Sequence, residues 1–137
     1  MISTALLCLA LNVYHEARNQ PTLGQIAVAQ VVMNRVKDYR YPDEICDVVR
    51  QGIHRPNGQP VKHKCSFSWY CDGQSDLMRD EQAAVKAHKV AKYVILGKAE
   101  GMFDGATHYH TDQVFPAWAT EKTFIVKIND HIFYRWD

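Results

Sequence analysis

The stretch "GQIAVAQVVMNRV" runs from Gly24 to Val36 and is almost wholly apolar up to Met33. A helix that is apolar all round has to be buried all round. The pattern therefore predicts a central helix, roughly Leu23 to Lys37, entered through Pro-Thr-Leu-Gly, with Ile26, Ala27, Val31 and Val32 as its buried stripe. The neighbouring segments read as elements built around it. Ser3 or Thr4 caps a first helix running to about Arg18, whose apolar face is Leu6, Leu9, Ala10, Val13 and Ala17. Asp43 caps a short third helix, about Glu44 to Arg50.

Beyond Arg50 the pattern changes. "GIHRPNGQPVKHK" is rich in Gly, Pro and Asn and reads as an exposed loop. "CSFSWYCDG" alternates aromatics with hydroxyls and reads as a strand or hairpin ending at Asp72-Gly73. A long helix follows from near Arg79 to a C-terminal stop at Gly97, with Ala83, Ala87, Val90, Ala91, Val94 and Ile95 as a small-residue packing face. "ATHYH", "TFIVKI" and "HIFYRW" read as short strands, the last two joined at Asn129-Asp130. The expected class is α+β, mainly helical, with a small strand-rich lobe at the end.

With 137 residues, a single domain over 1–137 is expected, and 47% hydrophobic residues suffice for a core. The formal charge is +1, so no strong field selects nucleic acid or an acidic membrane. No apolar run approaches about 18 residues, which argues against a stable membrane insertion. The opening "MISTALLCLALNVYHEAR" lacks a basic leader region and a small-residue cleavage site, so no signal peptide is expected. Cys8, Cys46, Cys65 and Cys71 fit no common zinc spacing. Without an export signal, buried free thiols are expected ahead of a disulfide.

Several residues are candidates for chemistry. Glu16 sits on the edge of the first helix's apolar face, half desolvated. Desolvation keeps a carboxyl group protonated and fit for general acid work. Helix position alone favours an ordinary surface charge, paired with Arg18 or a solvated lysine. In "THYH", His108 and His110 share one strand face and Tyr109 takes the other. No carboxylate or cysteine completes a metal site there, so no metal and no cofactor is expected. Trp69 reads as core or ligand platform with equal warrant. Trp118 in "FPAWA" reads as a loop anchor or a wall for stacking sugars.

Together these motifs resemble the cell wall hydrolase family typified by spore cortex-lytic enzymes. Tyr14, Glu16, Ala17 and Arg18 match a Y-x-E-A-R motif. The Gly24–Val36 helix, the Phe-Ser-x-x-x-Asp-Gly stretch, G-A-T-H-Y-H and the HIFYR ending follow in the family's order. The resemblance implies a lysozyme-like fold and cleavage of peptidoglycan glycan strands, between N-acetylmuramic acid and N-acetylglucosamine, as a lytic transglycosylase. It implies Glu16 as catalytic acid and then base, with Asn34, Ser68, Tyr70, His108, Tyr109 and Trp118 toward the substrate. The expected partner is the glycan strand, for a monomer. With no export signal and an extra loop over His54–Lys64, the expected setting is a phage-type lysin, made in the cytoplasm and acting on the wall after release. Rival readings are a muramidase that hydrolyses with a second carboxylate, drawn from Asp72, Asp76, Asp104 and Glu121, and a glycan-binding module without catalysis.

Overall fold

The computed structural model describes residues 3–137. The first helix, α1, spans Thr4–Ala17, and the Ser3 side chain caps it by accepting from the Leu6 amide at 3.1 Å. α2 spans Thr22–Val36 and α3 Ile45–Val49. The residue before α3 is Glu44, and no side chain caps that helix, so the expected Asp43 cap is not formed. α4 spans Glu81–Ile95, capped by Asp80, which accepts from the Ala83 amide. Gly97 follows it with φ +83°, a left-handed turn that ends the helix.

α2 is the centre of the molecule, as its composition requires. Ala29 and Val32 pack into a helical core with α1, α3 and α4. Ala27, Val28 and Val31 pack against Phe103, Ala106, Ile128 and Phe133 of the strand lobe. At Gly24 a Cβ would already touch Gln20 and the Ile128 side chain, so the missing side chain brings α2 close to the sheet. On α4 the expected small-residue face is the inner one, with Ala87, Val90, Ala91 and Val94 buried.

Two antiparallel sheets complete the fold. β1, Gly52–His54, pairs with β2, Pro60–Cys65. The segment expected as an irregular loop is therefore a hairpin. Its signal is missing because β1 is exposed throughout, so neither face carries an apolar pattern. Gly52 is obligatory: a Cβ there would lie 2.7 Å from the Lys64 carbonyl oxygen. The stretch expected as a strand, "FSWYC", is instead a 3-10 turn, Ser68–Cys71. β3, His108–Thr111, pairs with β5, His131–Arg135, which pairs with β4, Thr123–Ile128, in the order β3-β5-β4. β4 and β5 turn at Asn129, held at φ +50°. Gln20 ties that turn to the α1–α2 junction through Asn129, Asp130 and its own amide.

The cysteines correct the thiol expectation. Cys8 on α1 is bonded to Cys46 on α3, and Cys65 to Cys71, leaving no free cysteine. The first pair joins α1 to α3 across a sequence separation of 38, which spacing alone does not reveal, and the second closes a local loop with a separation of 6. No helix among the described residues is long and apolar enough to cross a membrane.

Candidate active site

A cleft of about 360 Å³ opens where the ends of α1 and α2 meet the edge strand β3. Glu16 comes from the last turn of α1 and Arg35 from the last turn of α2. Ser66 and Phe67 follow β2, Tyr41 lies in the connection after α2, and His108, Tyr109 and Trp118 come from β3 and the turn beyond it. Comparable grooves on the outer face of α4 are lined by Val85, Lys86 and Lys89. Their one carboxylate, Glu81, is exposed in the first turn of α4.

Glu16 is half-buried at the cleft floor. The Tyr109 hydroxyl donates to Glu16 Oε1 at 2.5 Å. Burial lifts the Glu16 pKa above its usual 4.5; the Tyr109 hydrogen bond, then Arg35 and His15, pull it down without overcoming burial. A carboxyl group held this way stays protonated further toward neutrality, which is what a general acid needs. Tyr109 has its own pKa raised well above 10 by burial and by Glu16, so it keeps its proton and remains a donor. Its ring packs on Phe133 and His131, which fixes the hydroxyl.

Arg35 is buried, and its Nε donates to the Thr107 carbonyl at 2.8 Å. The guanidinium lies over the rings of Tyr41 and Phe67, at 5.0 and 5.2 Å. This cation beside Glu16 favours the carboxylate that remains once the proton is given away. His108 is pushed down to about 4 by burial, then by Arg35, Lys122 and Arg40, so it is neutral near pH 7. Trp118 meets His108 at 5.0 Å and Tyr134 at 5.4 Å, forming an aromatic wall.

The structure brings Glu16, His108, Tyr109 and Trp118 together, as the sequence suggested, but not the other three candidates. Asn34 spends its amide on the Ala106 carbonyl and the Gln30 side chain, bracing α2 against the strand lobe. Ser68 is exposed at the start of the 3-10 turn, and Ser66 takes a place on the cleft wall instead. Tyr70 turns to His54 on β1. Trp69 is core: it is 8% exposed, stacks on His15 and donates from Nε1 to Asn12.

Arg35 and Tyr41 are additions that the sequence reading did not select. Arg35 had a signal, since Val28, Val31, Val32 and Arg35 follow one helical stripe and a charge on a buried stripe asks for a purpose. Tyr41 lies in "YRYPD", where no periodicity marks it. None of Asp72, Asp76, Asp104 and Glu121 lines the cleft. Asp104 pairs with Arg135, and Asp72 accepts from the Gln74 amide.

A model of the Cell Wall Hydrolase family matches residues 19–134, beginning just after Glu16. The spore cortex-lytic enzyme of Halalkalibacterium halodurans is 30% identical over 124 residues, covering 88% of this chain and 32% of that enzyme. The spore cortex-lytic enzyme of Bacillus subtilis is 25% identical over 128 residues, covering 91% and 35% respectively. The chain thus spans about a third of the length of these relatives. Among solved structures, the catalytic domain of the germination-specific lytic transglycosylase SleB from Bacillus anthracis matches with a TM-score of 0.73 and 27% identity, over 98% of this chain and 97% of that one. The catalytic domain of the Bacillus cereus SleB protein gives 0.65 and 27%, over 98% and 93%. The α+β, lysozyme-like architecture expected from the sequence is the one observed. Matched by the family model from residue 19 to residue 134, the chain belongs to the cell wall hydrolase family.

Proposed function

We propose that this chain is one catalytic domain that cleaves peptidoglycan glycan strands between N-acetylmuramic acid and N-acetylglucosamine as a lytic transglycosylase, with Glu16 as its single catalytic carboxyl group. The observation that carries this reading is the cleft itself. It holds one carboxyl group, half-buried and raised in pKa, with a fixed hydroxyl donor on one of its oxygens.

Glu16 gives its proton to the bridging oxygen, and the bond from that oxygen to C1 of the muramoyl residue breaks. C1 gains oxocarbenium character. The muramoyl C6 hydroxyl then attacks C1 and loses its proton to the Glu16 carboxylate, which restores the acid. The products are a free 4-hydroxyl and a 1,6-anhydromuramoyl end, with no water consumed. Tyr109 and Arg35 stabilise the carboxylate between the two proton transfers. A hydrolase of the two-carboxylate type needs a partner roughly 5–10 Å away; the cleft lining supplies none. Trp118 and neutral His108 present flat and polar surfaces to the sugar rings.

The disulfides suit a protein that works in an oxidising setting such as the wall. We read the biological role as wall lysis of the phage-lysin type, with the two bonds closing after release. Mass spectrometry of digested peptidoglycan tests the chemistry, because anhydro and reducing ends differ by one water. Lysis of walled cells exposed to the protein from outside, against none with Glu16→Gln, tests the role.

A further inference from the structure

Asn12 lies one helical turn before Glu16 on α1, on the same face, and is fully buried. Its Oδ1 accepts from Trp69 Nε1 at 2.8 Å. An indole N–H can only donate, so the amide oxygen must face Trp69 and the orientation of the amide is settled. Nδ2 is thereby turned the other way. It is a buried donor without a hydrogen bond, which is costly unless something compensates. The neighbouring acceptor is the Tyr109 hydroxyl, close enough to Asn12 for the amide to ease its ionisation. That hydroxyl is the one bonded to Glu16.

We propose that Asn12 is a positioning residue for Glu16, acting through Tyr109: Trp69 fixes the amide, and Nδ2–H supports the tyrosine oxygen whose own O–H is given to the carboxylate. While Glu16 is protonated, the Tyr109 oxygen carries little extra charge and the Asn12 donor stays loose. When Glu16 gives up its proton, the tyrosine O–H is pulled toward the carboxylate and its oxygen becomes a better acceptor. Asn12 then closes onto it, and the chain Trp69–Asn12–Tyr109–Glu16 tightens as one unit. The network thus supports the carboxylate form, the state needed to take back the second proton. His15 from α1 and Arg35 from α2 also bias that form, while Tyr41 from the connection after α2 and His108 beside Tyr109 on β3 line the same cleft. None of them needs Asn12, so its effect is separable. The catalytic meaning rests on the proposed function; the coupling to the Glu16 carboxyl does not.

The test reads the Glu16 carboxyl directly. The protein is labelled at the glutamate side-chain carbons, and the Glu16 signal is assigned by its loss in Glu16→Gln. It is then titrated by NMR in wild type, Asn12→Leu, Tyr109→Phe and the double variant. Asn12→Leu should raise the Glu16 pKa by about half to one unit. In the Tyr109→Phe background the same change should do nothing further, because the hydroxyl it acts through is gone. Trp69→Phe, which keeps the ring but frees the amide oxygen, should give a smaller rise and stands in if Asn12→Leu does not fold. No shift, or the same shift with and without the Tyr109 hydroxyl, overturns the proposal. A coupled titration in a protein inert toward peptidoglycan would leave the coupling standing and remove the proposed function alone.

Discussion

The Tyr109 hydroxyl and the Glu16 carboxyl group, 93 positions apart in the chain, are joined by a hydrogen bond of 2.5 Å. That bond ties the first helix to the edge strand of the sheet across the cleft. It occupies one carboxyl oxygen, Oε1. It also opposes burial, which is what raises the Glu16 pKa, and so favours the carboxylate form.

Glu16→Gln keeps the shape and can still accept from Tyr109, but has no proton to give. Turnover should fall by about 10²–10⁴-fold, the usual worth of general acid catalysis. The same change should stabilise the fold. A carboxyl group whose folded pKa is raised favours the folded state below its ordinary value near 4.5, and that benefit is lost as pH rises through the folded value. Gln has no such loss. The melting-temperature advantage of Glu16→Gln should therefore be larger at pH 8 than at pH 4. Calorimetry at the two pH values and a turbidity assay check both halves. An active variant removes Glu16 from the mechanism.

Trp69 and Trp118 should separate stability from binding. Trp69 is core and hydrogen-bonded, so Trp69→Ala should cost about 3–5 kcal/mol. Trp118 is half-buried on the cleft wall. Trp118→Ala should cost well under half of that while weakening binding to glycan oligomers. Denaturant unfolding and titration calorimetry measure the two effects, and the reverse ranking would exchange their roles.

Reduction should loosen the helical half first. Cys8–Cys46 closes a loop of 38 residues in sequence separation, against 6 for Cys65–Cys71. The chain-entropy account gives about 4 kcal/mol for the first and about 2 kcal/mol for the second. Cys46→Ser should therefore lower the melting temperature by roughly 10–15 °C, and Cys71→Ser by about half as much. Equal losses would show that loop closure is not what these bonds contribute.

His108 should remain neutral through the working range. Its pKa near 4 follows from burial and then from Arg35, Lys122 and Arg40. Its ring signals should not titrate between about pH 5.5 and 8. Because the folded value is depressed, its contribution to stability should fall as pH drops from the ordinary 6.5 toward 4. Activity should also survive chelation with EDTA. A midpoint near 6.5, or loss of activity restored by zinc, would require a different account of the histidine strand.

What the sequence made legible, and what it hid, follows burial. The run from Gly24 to Met33 has no polar face, so its central place could be read directly, and α2 does join the two cores. The β1–β2 hairpin was hidden because its exposed side chains record no burial. Residues 67–71 alternate like a strand, but the Cys65–Cys71 bond accompanies a 3-10 turn instead. At the site, the position of Glu16 on α1 was visible, yet its partner lies 93 residues on and no local spacing announces it. Asn34 was expected toward the substrate and Arg35 was not selected; the structure uses the Asn34 amide to brace α2 and places the Arg35 guanidinium in the cleft lining.

The central claim is that one carboxyl group suffices and that the sugar's own hydroxyl replaces water. Effective molarities for well-placed intramolecular groups reach about 10⁵–10⁸ M, far above that of water. Purified peptidoglycan digested by the wild-type protein, separated by chromatography and weighed by mass spectrometry, tests it directly. The account predicts 1,6-anhydromuramic ends as the main product, retained by Asp72→Asn, Asp76→Asn, Asp104→Asn and Glu121→Gln. Reducing-end muramic acid as the main product, with one of those four variants inactive, would contradict it.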